Sequence, residues 1–140
     1  MTNQFYGHRI SLREVIYFML KKISDSELEI MKIIWNKERI ISSKEIIKIM
    51  EEKKQWKKTT TLTLLKRLTD KEIIKAEKGK MITYYTAIVN EKSYLETETS
   101  NFFKKIHDNS LKSFITTLHS SNDITDEDLN ELEEWIKNSR

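Results

Sequence analysis

The chain has 140 residues, 38% of them hydrophobic and 34% charged, with a formal net charge of +3, two glycines, no proline and no cysteine. That length supports one modest core, or two small units sharing a core across a dimer. Without cysteine there are no disulfides or thiolate metal sites, and no apolar run reaches the ~20 residues needed to span a bilayer, so a cytoplasmic, mainly helical protein is expected.

The charge is unevenly placed. Residues 1–90 carry 19 Lys/Arg against 11 Asp/Glu, whereas residues 91–140 carry 6 against 11. Within 53–80 the balance is 10 basic to 3 acidic. A basic half followed by an acidic half suits a polyanion-binding module joined to a second unit, although lysine-rich solvated faces give the same count.

In chain order, residues 1–22 read as an N-terminal extension. It is either a short helix with Leu12, Val15, Ile16 and Met19 on one face, or a stretch upstream of a natural start at Met19. "ISLREVIYFML" is interrupted by Arg13 and Glu14 and makes a poor secretory signal. Ser24-x-x-Glu27 is a capping box, with Asp25 as a rival cap, and it opens a helix bearing Leu28, Met31, Ile34 and Trp35. A short β-branched run follows at 39–41. Ser42-x-x-Glu45 is a second capping box ahead of a helix with Ile46, Ile47, Ile49 and Met50. A third helix is expected from about Thr59 to Lys71. Two short strands then flank Lys78-Gly79-Lys80, where glycine is expected to supply the positive φ of a hairpin turn.

Helix, short strand, helix, helix and hairpin make a winged helix-turn-helix domain over residues 23–90. Residues 91–140 read as three further helices, 91–107, 110–120 and 125–138, the last opened by Thr125-x-x-Asp128. They are too short and thinly apolar to hold a core alone, so bundling with a second copy is expected. Phe102, Phe103, Ile106, Leu111, Phe114, Ile115, Leu118, Leu129, Leu132, Trp135 and Ile136 supply the dimerisation surface.

The stretch "KKTTTLTLLKRL" carries the expected function. At 100° per residue, Thr61, Leu64, Leu65 and Leu68 share one face, and Thr59, Thr63, Lys66 and Asp70 lie opposite, flanked by Thr60, Leu62 and Arg67. The second helix of a helix-turn-helix enters the major groove by its N-terminus, where hydroxyls, cations and free N–H groups meet phosphates. Threonine methyls and Leu62 suit the thymine C5-methyl, and Lys66 and Arg67 suit phosphate or guanine. Lys57 and Lys58 precede the helix, and Lys75, Lys78 and Lys80 lie on or near the hairpin tip, placed for phosphates or a minor groove. A single threonine acting as an ordinary cap is the plainer alternative for the triplet. Trp35 is expected in the core, and Trp56 as an anchor of the turn. Of Tyr84 and Tyr85, one should face inward and the other outward.

No enzyme is expected. His8, His107 and His119 lack metal-ligand spacing, no glycine-rich phosphate loop occurs, and "TDEDLNELEEW" reads as a solvated helix face, so neither cofactor nor metal is anticipated.

"ISDSELEIMKIIW", "TTTLTLLKRLTDKEIIK", the "YYT" strand and an acidic C-terminal helix, in this order and spacing, resemble the penicillinase repressor (BlaI/MecI) family over about residues 23–138. The resemblance implies a homodimer that binds inverted repeats of TACA/TGTA type and represses β-lactamase or penicillin-binding-protein genes. Release would follow proteolysis triggered through a membrane β-lactam sensor with a zinc-protease domain. The family's cut between Asn and Phe maps onto Asn101-Phe102. Leu62 stands where relatives commonly carry Arg or Lys, and Thr61 replaces a usual Ile. The related copper-responsive repressors share the Trp56-Lys57 entrance, but their cysteine cluster is absent here. Regulation of another operon by a different signal, and a winged-helix protein-interaction module, are the alternatives.

Overall fold

The computed structural model describes residues 23–140, and the readings made for residues 1–22 lie outside the described residues. The described chain divides into two compact units, one ending at Leu95 and the other comprising Glu96–Arg140.

The first unit opens with α1, Asp25–Lys37. Ser24 is the cap: its hydroxyl accepts from the Glu27 N–H at 3.2 Å, and the Glu27 carboxylate accepts from the Ser24 N–H at 2.8 Å. Two of the N–H groups that a helix start leaves open are thereby satisfied. The helix stops at Glu38, whose φ of 52° is left-handed. Ile30, Met31, Ile33 and Ile34 are its buried residues beside Glu27. Strand β1 is the two residues Ile41–Ser42, and α2 runs Ser43–Lys54. Ser42 accepts from the Glu45 N–H at 3.1 Å, but only half of the second capping box forms. The Glu45 carboxylate turns instead to Lys37 at 3.2 Å and Arg39 at 3.5 Å, two cations that outcompete one backbone N–H.

Helix α3 runs Lys58–Asp70, followed by β2, Ile74–Lys78, and β3, Thr83–Ala87. The three strands form an antiparallel sheet in the order β1-β3-β2, with Ile41 opposite Tyr85 and Ala76 opposite Tyr85 on the other side. This register turns Tyr85 into the core and leaves Tyr84 at the surface, because neighbouring strand residues face opposite ways. The winged helix-turn-helix fold is therefore the fold of this unit.

The hairpin corrects one expectation. Gly79 does not adopt a positive φ; it is needed for room. A Cβ there would lie 3.0 Å from the Ile82 carbonyl oxygen, to which the Gly79 N–H itself donates at 2.7 Å. The turns that do take left-handed backbone use Glu38, Gln55, Glu72, Asp108, Asn109 and Asn122.

The core gathers Ile30, Met31, Ile41, Ile46, Met50, Leu65, Leu68, Ile73 and Ile74, all essentially inaccessible. Each fully buried side chain of this size is worth about 1.5–3 kcal/mol. Trp35 packs at the core's edge, donates its indole N–H to the Val89 carbonyl at 2.8 Å, and meets the Tyr94 ring at 5.4 Å between centroids. Trp56 is half-buried against the same core beside the turn, as expected of an anchor.

Helix α4 spans Glu91–His107, and its residues through Leu95 belong to the first unit. In the second unit, α5 is Leu111–Ser120, capped by Ser110, and α6 is Asp126–Ser139. The Thr125 and Asp128 side chains close a complete capping box on α6. Phe102, Phe103, His107 and Phe114 form an aromatic cluster with ring centroids 5.2–6.3 Å apart, and the His107 Nδ1 pairs with the Ser113 hydroxyl at 2.9 Å. No residue of α5 or α6 is buried. Among the described residues, no helix is long and apolar enough to cross a membrane.

Candidate nucleic-acid interface

Helix α3 begins one residue earlier than expected, and no threonine caps it. The cap is Lys57, which makes no side-chain bond to the helix start. The Thr60 and Thr61 N–H groups both turn back to the Lys57 carbonyl, at 3.0 and 3.3 Å. Among the described residues, the Lys58 and Thr59 N–H groups, at the positive end of the helix dipole, have no side-chain acceptor. A good cap would occupy the groups that an anion can use, and this helix has none.

The buried residues of α3 are Thr61, Leu64, Leu65 and Leu68, the face expected from periodicity. Thr59, Thr60, Leu62, Thr63, Lys66 and Arg67 are exposed. The structure thus gives the four leading threonines three different environments. Thr61 is completely buried and, among the described residues, its hydroxyl has no partner. Thr63 donates its hydroxyl to the Thr59 carbonyl at 2.8 Å. Thr59 and Thr60 keep their side chains in solvent at the uncapped end.

Lys66 pairs with Asp70 at 3.1 Å, four residues on. That spacing was visible in the sequence as an i,i+4 pair. Lys57, Lys58, Arg67, Lys78 and Lys80 are exposed and, among the described residues, have no carboxylate within ion-pair distance. Lys78 closes β2 and Lys80 sits in the loop beyond it, so both lie at the wing's tip. Lys75 does not. It lies near the start of β2, opposite Thr86, with its ammonium 3.6 Å from Glu77. Met81, beside Lys80, is 97% exposed.

A half-buried ion pair seats the far end of α3. Lys71, the C-cap, reaches the Glu27 carboxylate of α1 at 2.5 Å. Burial alone would raise the Glu27 carboxyl, but the Lys71 ammonium and the Ser24 N–H and hydroxyl outweigh it and hold the group below the ordinary carboxylate range. Sequence reading identified Glu27 only as a capping residue. Nothing in sequence signals a partner 44 positions away.

The residues marked for dimerisation are spread over α4, α5 and α6. Phe102, Ile106, Leu111, Trp135 and Ile136 are strongly exposed, Trp135 at 65%, and Phe103, Phe114, Ile115, Leu118, Leu129 and Leu132 are half-buried. Asn101 and Phe102 lie in the second half of α4 rather than in a loop. Among the described residues, no group of three or more His, Cys, Asp or Glu could hold a metal ion.

The family pattern described as penicillinase repressor matches residues 23–138. The chain belongs to the penicillinase repressor family. Similar curated proteins include the Penicillinase repressor of Bacillus licheniformis, 31% identical over 113 residues, which cover 81% of this chain and 88% of that one. The Methicillin resistance regulatory protein MecI of Staphylococcus aureus (strain N315) is 30% identical over 111 residues, 79% of this chain and 89% of that one. The solution structure of the DNA binding domain of the repressor BlaI is 37% identical, with a TM-score of 0.48, and the match covers 54% of this chain and 94% of that one. Within the family pattern lie α3, the wing and the three following helices, so the exposed groups described above all fall on the shared part of the chain.

Proposed function

We propose that this member of the penicillinase repressor family is a dimeric transcriptional repressor of β-lactam resistance genes that acts on an inverted-repeat operator in the cytoplasm. The observation that carries the reading is the exposed face of α3: an uncapped helix N-terminus, two unengaged threonine hydroxyls and unpaired cations, on the same unit as a wing tipped by Lys78 and Lys80. In this reading the N-terminal turns of α3 enter the major groove, where Thr59, Thr60, Leu62, Thr63, Lys66 and Arg67 face base edges and phosphates. Lys57, Lys58, Lys78 and Lys80 contact phosphates and set the register.

The second unit supports dimerisation by what it leaves uncovered. No residue of α5 or α6 is fully buried within the single chain, and Phe102, Ile106, Leu111, Trp135 and Ile136 stay exposed. A second copy would cover them and hold two recognition helices on one duplex. Bivalent attachment of this kind raises apparent affinity by a factor of about 100 to 10,000 without any new contact.

Cleavage at Asn101-Phe102 would then be the release step. A cut there removes α5, α6 and the aromatic cluster from the DNA-binding unit. Two linked half-site binders would become two weak monomers. The partner supplying the cut would be the membrane β-lactam sensor and its zinc-protease system; no cofactor or enzymatic activity of this chain is required.

Two measurements test the reading. Purified protein should shift a duplex carrying a TACA/TGTA inverted repeat well before a random duplex at moderate salt, and equal affinity for both rejects the operator. In cells, β-lactam exposure should yield fragments ending at Asn101. A chain that stays intact while repression is lifted rejects proteolysis and points to a small-molecule inducer.

A further inference from the structure

The part of the exposed side of α3 around Leu62 and Thr63 is poorly supplied with hydrogen-bond donors for base edges, unlike the Thr59, Thr60 and Arg67 positions around it. The Thr63 hydroxyl proton is committed to the Thr59 carbonyl at 2.8 Å, so toward a base this exposed side chain offers its methyl and an accepting oxygen but no free donor. Lys66 pairs with Asp70 at 3.1 Å, so it reaches a base edge only by leaving that exposed ion pair. Leu62 has no polar atom beyond its backbone and is 37% exposed, on the flank next to Thr63. Together, the Leu62 isobutyl group and the Thr63 methyl form an apolar edge on an otherwise basic helix.

Only one base presents an apolar group in the major groove, and that is thymine, through its C5-methyl. Against the Leu62 side chain, cytosine would set its N4 amino group, which loses water there and gains no acceptor. We propose that this chain selects thymine at its site through methyl contacts from Leu62 and Thr63, so that apolar packing rather than hydrogen bonding discriminates the bases facing this part of α3. The inference rests on the DNA-binding reading above and names the chemistry by which that surface chooses its sequence.

The test begins with a library of duplexes whose centre is randomised, from which the full chain enriches its preferred site. That site is then remade with thymine replaced by deoxyuridine, one position at a time, which removes only the C5-methyl. Affinity should fall about fourfold at each contacted position, the effect of one buried methyl. With Leu62→Ala protein, the fall should disappear at the position Leu62 meets and persist at the one under Thr63. Equal affinity of the unaltered protein for thymine and deoxyuridine at every position overturns the methyl readout and leaves operator binding standing. Failure to enrich any sequence overturns the operator reading and this inference with it.

Discussion

Thr61 and Glu27 are both polar and both fully buried, yet their surroundings differ completely. The Thr61 hydroxyl has no partner among the described residues, and an unmet hydroxyl typically costs ~1–3 kcal/mol in protein mutational data. Thr61→Val keeps the branched shape and removes the unmet group, so it should stabilise the chain by about 1 kcal/mol. A higher urea midpoint with an unchanged slope would bear this out; an equal or lower midpoint would mean that the hydroxyl has a partner. Glu27 instead accepts from Ser24 and Lys71, and these hold its folded-state pKa below the ordinary value of 4.5. Its stabilising effect is therefore complete above that value and is lost as pH falls through the lower, folded-state one. Unfolding curves between about pH 6 and pH 3 should show the unaltered protein losing stability steeply and Glu27→Gln losing less. Parallel curves would remove Glu27 from the acid response. Neither residue's state was legible beforehand: periodicity placed Thr61 on the inner face, but an orphaned hydroxyl and a 44-residue ion pair exist only after folding.

The elements follow the sequence more closely. Capping signals and apolar periodicity mark both N-terminal helices and the last C-terminal one, and these signals are local and survive without tertiary context. Helix α3 shows where local rules run out. Threonines looked like its start, yet the cap is a lysine with no side-chain bond, an arrangement poor for an isolated helix and suited to receiving an anion. The scarcity of glycine suits the mainly helical chain that is observed, and the helix ends use other residues. Among the described residues, six that are not glycine take left-handed backbone where helices and turns end, at a strain of roughly 1–2 kcal/mol apiece. At this scale the functional prediction concerns cations. Lys58→Ala at the start of α3 and Lys80→Ala on the wing should each weaken binding similarly on operator and random duplexes. Each should also reduce the slope of log affinity against log salt by about 0.9. A loss confined to the operator would assign that lysine to base readout instead.

For the whole molecule, the question is what covers α5 and α6. Each is amphipathic, each is well capped, and neither buries a residue in the single chain. Trp135 and Ile136 lie in the acidic last helix and stay exposed, which is costly for groups of that size unless they are covered in the assembled state. Trp135→Ala combined with Ile136→Ala should weaken self-association by at least tenfold, as expected from losing ~1.5–3 kcal/mol per buried side chain. Sedimentation equilibrium reads this directly, and an unchanged association constant would place the interface elsewhere. Operator affinity should fall with it while half-site affinity stays the same, because only the linkage between the two recognition helices is lost.

By itself the sequence determined the order of elements, the inward face of α3, the opposite facing of Tyr84 and Tyr85, and the kinship with penicillinase repressors. The first three depend on spacing and capping chemistry, which act over a few residues, and the kinship on motifs whose order is read directly along the chain. Only the tertiary structure decided which threonine is buried, which hydroxyl is already engaged and which lysines stand unpaired. It also moved Lys75 off the wing tip and turned Gly79 from a matter of backbone angle into one of space. Those outcomes depend on which atoms other elements bring within about 4 Å, and spacing along the chain does not encode that distance.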